Sequence, residues 1–241
     1  MAPGHGGGHT GPMSQGDTAG PRRPALVQTL TVVMGVLITI VLVFFVRRVA
    51  TDWPNISAGT VPDDDLAELY VAHPWLAYGH IVPGVVYLVL APLQLSRRFR
   101  TRHYALHRRL GRVLLACALF SGVLAVVLGF VFAWGGAPET VASLVFGLWF
   151  ISCLVRAFAA IRAGRVPEHR RWMIRAFAVG SGIAMIRIWV GIFTGIQLGV
   201  LGMEDETFPI RSTFGIAFWL GFAIHVAAGE WWLRRTPALD G

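Results

Sequence analysis

The sequence predicts an all-α integral membrane protein, a six-transmembrane-helix bundle with both termini cytoplasmic. Three observations carry that expectation. The 241 residues are 55% hydrophobic and only 14% charged, whereas a soluble domain is about 25% charged. Six apolar runs each reach the ~20 residues that a helix needs to cross a hydrocarbon core. The arginines gather on alternate connections, which is how topology-setting cations are distributed.

Residues 1–24, MAPGHGGGHTGPMSQGDTAGPRRP, are rich in Gly, Pro and Ser and lack the apolar residues of a core. They read as a disordered cytoplasmic tail, in which His5 and His9 belong to a flexible polar segment. The membrane domain then spans 25–235. Its six expected crossings are about 26–46, 73–95, 113–134, 140–161, 173–199 and 212–233, and 236–241 form a short C-terminal tail. The first run lacks a small-residue cleavage site after it and reads as an uncleaved anchor. Each crossing is expected to be a helix, because a helix satisfies its own backbone hydrogen bonds where lipid cannot. Cys117 and Cys153 lie inside apolar runs and read as small packing residues. Two cysteines exclude a disulfide framework.

Every basic residue is arginine, and the formal net charge is +8. Their position beside apolar spans favours anionic lipid headgroups over nucleic acid. One set of connections holds Arg22 and Arg23, seven arginines from Arg97 to Arg112, five from Arg162 to Arg175, and Arg234 with Arg235. The opposite set holds Arg47, Arg48 and Arg211. The arginine-rich side is therefore read as cytoplasmic, in a bacterial inner membrane. The acids Asp52, Asp63, Asp64, Asp65, Glu68, Glu139, Glu204, Asp205 and Glu206 fall on the other side and agree with this orientation. Arg47 and Arg48 dissent.

Two cytoplasmic lips share a pattern. HRRLGR at 107–112 opens the third span, and HRRWMIR at 169–175 opens the fifth. The repeat suggests related hairpins, with His107 and His169 at equivalent lips. Cationic neighbours favour a neutral, ligand-capable imidazole at each; contact with headgroup phosphate accounts for them equally well. Trp172 reads as an interfacial anchor. His103 and His107, at i and i+4, would share a helical face, but no neighbouring carboxylate completes a zinc site there.

Inside the spans, ionisable residues are costly and mark function. His80 belongs to a stripe of small and polar residues on the second span: His73, Ala77, His80, Gly84, Tyr87, Ala91 and Gln94. Arg187 stands on a small-residue face of the fifth span with Gly180, Ala184, Gly191 and Gly195, and needs an acid, a carbonyl, water or a bound anion. His225 stands on the sixth span beside Gly221, Ala228 and Gly229. Histidine on a glycine-flanked transmembrane helix suits haem, since iron takes axial imidazoles and glycine admits the porphyrin edge. The estimated depths of His80 and His225 differ by ~10 Å on straight helices. One haem between them, or two haems with His107 and His169 forming the second set, are both open.

These residues resemble those of a bacterial and fungal family of multi-pass membrane proteins catalogued as a domain of unknown function. The resemblance rests on His80, PLQL at 92–95, HRRLGR, HRRWMIR and Arg187, and covers about residues 70–232. It implies a helical membrane domain with these polar positions as its functional set, and no established reaction. A thinner likeness links the helix-borne histidines to b-type membrane cytochromes. The paired-histidine spacing of stacked haems is missing, because His73 and His80 are only seven residues apart.

The leading functional expectation is haem b binding for transmembrane or quinone-linked electron transfer. In it His80, His225, His107 and His169 supply iron ligands, and Arg187 meets a propionate or a quinone oxygen. The alternatives are a cofactor-free small transporter or lipid- or anion-binding protein, and an assembly subunit of a membrane complex. There is no P-loop, no dinucleotide fingerprint and no Ser/His/Asp set in readable context. Oligomeric state and redox partner are not encoded in any motif.

Overall fold

A computed structural model describes residues 25–63, 65–203 and 207–236. The N-terminal tail assigned from sequence, with His5, His9, Arg22 and Arg23, and most of the C-terminal tail lie outside the described residues. Within them the chain is helical: α1 (Ala25–Ala58), α2 (Asp65–Ala72), α3 (Pro74–Leu95), α4 (Arg97–Arg102), α5 (Tyr104–Val131), α6 (Ala137–Arg162), α7 (Val166–Gly199) and α8 (Thr207–Arg235). Six of these, α1, α3, α5, α6, α7 and α8, are long and apolar enough to cross a membrane. They correspond to the six spans read from sequence.

The helices overrun those spans where local polar bonds extend them. α1 continues past residue 46 because Arg48 and Asp52 pair at i,i+4, Nε to Oδ2 at 2.7 Å, and cover another turn. α7 begins at Val166, seven residues before the apolar run, and its first turn holds Pro167 and Glu168, both suited to a helix N-terminus. The reversal between α6 and α7 is set by Gly164 at φ 75°. Its N–H donates to the Ile161 carbonyl at 3.2 Å, and the next N–H, of Arg165, donates to that of Ala160 at 2.9 Å. That pair of bonds closes the end of α6 and requires a left-handed residue. His103 marks the break between α4 and α5, at φ −131°. His103 and His107 therefore do not share one continuous helical face.

α3, α5, α6 and α7 form a ring, each packed on the next, with α3 meeting α7 more lightly. Their inner faces supply one core, including Tyr87, Leu114, Phe146, Phe150, Leu154 and Phe177. The ring's centre is filled by aromatics, with Tyr87 edge-on to Phe150 at 5.7 Å. Cys153 is fully buried there and Cys117 half-buried, both as free thiols. α8 lies outside the ring against α7 and α6, and α1 lies against α7 and α3. α7 and α8 approach backbone to backbone: a Cβ on Gly182 would stand 3.0 Å from the Gly221 carbonyl oxygen, and one on Gly221 3.1 Å from that of Gly182. This small-residue crossing is what membrane helices use where apolar burial cannot drive association. The outward faces of α1, α5 and α6 expose Val, Leu and Phe side chains such as Val36, Phe130 and Leu148, a surface suited to lipid.

At the arginine-poor end a polar staple fixes α1. Asp52 is wholly buried. It accepts from Arg48 and from the Tyr78 hydroxyl of α3 at 2.9 Å, while Arg48 lies 4.0 Å over the Tyr70 ring of α2. The dissenting Arg48 thus carries a matched negative partner.

Candidate functional site

Two groups of polar side chains lie in or beside the ring, one in each half of the bundle. In the arginine-poor half, α3 turns His80 toward α5. Its Nδ1 is 2.9 Å from the Ser121 carbonyl oxygen, and the Ser121 hydroxyl donates to the His80 carbonyl at 2.7 Å. A carbonyl can only accept, so Nδ1 carries the proton and Nε2 keeps its lone pair. Arg187 of α7 acts electrostatically on His80 and on Glu139 of α6, and its guanidinium carbon sits 5.4 Å from the centroid of the Phe44 ring of α1. Glu139 is 7% exposed and accepts from the Gly135 N–H at 2.6 Å. By sequence Glu139 falls among the loop acids of the arginine-poor side; Gly-Gly-Ala-Pro just before it signals a helix start, which places such an acid in the first turn.

At the arginine-rich end, His107 of α5 and His169 of α7 project from helices that stand across the ring from one another. His169 is among the groups that act electrostatically on His107, together with Arg100. Arg100 and Arg170 act likewise on His169. The His169 Nδ1 is 2.9 Å from the Ala157 carbonyl of α6, so it too donates there. Arg100 is tied to the end of α3 by donating to the Leu95 carbonyl at 2.8 Å. Burial first, then the charges of Arg170 and Arg97, lower the Arg100 pKa from its ordinary value. Phe99 lies edge-on to the His107 ring at 6.5 Å.

Gln94 completes this end. It is 8% exposed, and both of its amide atoms are buried without a partner among the described residues, as is the Nδ1 of His107. Its Oε1 lies 3.6 Å from where a Cβ on Gly111 would stand, one turn along α5 from His107. Of the α3 stripe drawn from sequence, Ala77, Tyr87, Ala91 and Gln94 are buried, His80 and Gly84 are half-buried, and His73, just ahead of the helix, is exposed.

His225 stands apart on α8, its Nδ1 2.9 Å from the Gly221 carbonyl. α3 packs on α5, α1 and α7, and α8 packs on α7 and α6, so His80 and His225 sit on helices that do not pack directly on each other. Of the four histidines, His80, His169 and His225 each donate Nδ1–H to a backbone carbonyl, and His107 has no such acceptor among the described residues.

The HRRWMIR segment has a second role beyond its cations. Trp172 lies between Arg156 and Arg175, each 4.8 Å from its ring centroid, and edge-on to Trp149 at 6.2 Å. Arg175 makes a two-pronged pair with Glu230 of α8, at 2.5 and 3.0 Å. Glu168 pairs with Arg165 at 2.5 Å. The pairing of Arg175 with Glu230, 55 residues apart, carries no local sequence signal.

Among the described residues no group of three or more His, Cys, Asp or Glu side chains is arranged to hold a metal ion. The cavity between α1, α3 and α7 has a volume of about 10 Å³ and an apolar lining that includes Leu37, Val41 and Phe177; it accommodates nothing larger than one water.

A family model described as a predicted membrane protein, DUF2306, matches residues 77–233. That stretch contains almost all of α3 and runs into the last turns of α8, with every histidine and arginine discussed in this site. No curated protein matches the chain, and no solved structure matches it.

Proposed function

The chain belongs to the DUF2306 family of predicted membrane proteins, and from that premise we propose that it is a haem b-binding protein for transmembrane or quinone-linked electron transfer in a bacterial inner membrane. The observation that carries this reading is the state of the imidazoles. A histidine that ligates a metal through Nε2 almost always donates its Nδ1–H to a carbonyl or carboxylate, which fixes the ring and strengthens the ligand. Nδ1 of His80, His169 and His225 lies 2.9 Å from a backbone carbonyl in each case.

His107 and His169 are the pair best suited to one iron. They stand on helices across the ring from one another, at the end richest in arginine. Arg100 and Arg170 beside them would meet the two propionates. His80 and His225 would serve as single ligands or as proton-handling groups. Arg187, beside His80 and Glu139 in the other half, would meet a quinone oxygen. Haem b, when bound, supplies a one-electron couple. The residues of this chain would then orient the iron ligands, neutralise the propionates and keep water from the core.

The test is the absorption spectrum of protein purified in mild detergent from haem-replete cells, oxidised and then reduced with dithionite. A Soret band that shifts on reduction is expected, and it is weakened or lost in His107→Ala and His169→Ala. Protein without a Soret band contradicts the proposal.

One further observation favours a second reading, a cofactor-free anion- or lipid-binding protein. Arg97, Arg100 and Arg170 crowd together, and the charges acting on Arg100 are all cationic. Phospholipid retained in native mass spectrometry by the wild type and lost in Arg100→Ala or Arg187→Ala would support it.

A further inference from the structure

Gln94 and His107 present complementary unmet needs on facing helices. The Gln94 amide has a donor and an acceptor, both sealed from solvent and both without a partner among the described residues; the Nδ1 of His107 is in the same condition. A buried polar atom left unpaired costs about 1–3 kcal/mol, so several of them beside one seam create a strong demand for pairing. Gln94 overlies Gly111, with Oε1 3.6 Å from the position of an added Cβ. Gly111 is one helical turn from His107 on the same face of α5, and i,i+4 residues stack one above the other. Gly111 has no side chain to stand between them. His107 is also the only one of the four candidate imidazoles whose Nδ1 lacks a carbonyl acceptor among the described residues.

We propose that Gln94 is the positioning residue of His107: rotation of its amide brings Oε1 to accept the Nδ1 proton, which leaves Nε2 as the ligand atom. This gives His107 the arrangement that His80, His169 and His225 take from backbone carbonyls. Placing the acceptor on a side chain puts the basicity of this imidazole within reach of a single substitution. The hydrogen bond is a statement about the chain alone; its consequence for iron rests on the haem reading above.

The experiment uses the full-length protein with ¹⁵N-labelled histidine, first free of haem, with the His107 signals assigned by their loss in His107→Gln. In the wild type the His107 Nδ1 is expected to be protonated and hydrogen-bonded. In Gln94→Leu its shift moves to that of a free, tautomerically mixed imidazole. In Gln94→Glu, which keeps an acceptor oxygen, the bond persists and the Nδ1 proton is held more strongly. Identical His107 shifts in the wild type and Gln94→Leu would overturn the proposal. So would a change that spreads equally to His80 and His225, since it would report altered packing and not a lost bond. In haem-loaded protein, Gln94→Leu should weaken haem retention by about tenfold or more, the usual effect of removing such a partner, while Gln94→Glu retains it. Equal loss in both variants would also overturn the assignment. A wild type that binds no haem defeats the proposed function, and the haem-free spectra still decide this inference.

Discussion

Replacing Glu230 by Gln should loosen α8 from α7, by an amount that the geometry bounds. The Arg175–Glu230 contact has two charge-assisted bonds, at 2.5 and 3.0 Å, between side chains 18% and 32% exposed. Breaking a fully buried pair costs about 3–5 kcal/mol, and an exposed one contributes about 0–1 kcal/mol. With a third of Glu230 open to solvent, the coupling should fall between, at about 2 kcal/mol, in line with hydrogen bonds to charged groups. That is about a thirtyfold change in the folded ratio. The Arg175 guanidinium also stacks on Trp172, so a single substitution of Arg175 mixes two effects. The assay is therefore a double-mutant cycle with Arg175→Met and Glu230→Gln, followed by circular dichroism through reversible unfolding in mixed micelles. A coupling energy below about 0.5 kcal/mol, the range of exposed ion pairs, would refute the claim that this pair joins the two helices.

Other consequences can be checked separately. Gly221→Val should lower the melting temperature, because its Cβ alone would stand 2.6 Å from Ile186 Cγ1; overpacking of this kind costs about 1–3 kcal/mol. Gly191→Ala, where nothing lies within 4 Å, should be neutral or stabilising, and equal losses in the two variants would refute the packing argument. Asp52→Asn leaves the Arg48 cation without its buried counter-charge. It should release α1 at a cost of about 3 kcal/mol, visible as faster amide exchange in residues 44–58 with exchange in α6 and α7 unchanged. For topology, Gly202→Cys should react with an impermeant maleimide added to intact cells and Ala163→Cys should not; the opposite pattern would reverse the orientation drawn from the arginines.

The six spans were readable from sequence because a bilayer imposes a length and a composition on anything that crosses it. The inward face of α3 was readable too: Ala77, Tyr87, Ala91 and Gln94 follow helical spacing and are buried together. Partnerships between distant positions were not. Ser121 meets His80 from 41 residues away and Glu230 meets Arg175 from 55, and no local pattern encodes such pairs. The arginines of HRRWMIR satisfied a topology argument so fully that the ion pair of Arg175 and the stacking around Trp172 had no separate signal. Arg48 looked like an exception to charge asymmetry until Asp52, one turn away, supplied its counter-charge. The i,i+4 spacing of His103 and His107 misled because it presumes a continuous helix, and the chain bends at His103. Glu139 was counted with the loop acids, although its carboxylate is folded back onto the Gly135 N–H.

On the proposed haem reading, His107 and His169 are the principal iron ligands of this bundle. The reduced-minus-oxidised absorption spectrum of the purified wild type, set beside the His107→Ala and His169→Ala variants, tests it most directly. A haem b difference spectrum in the wild type that is lost in both variants is the predicted result. A wild type without any haem signal, or one whose signal survives both substitutions unchanged, would contradict it.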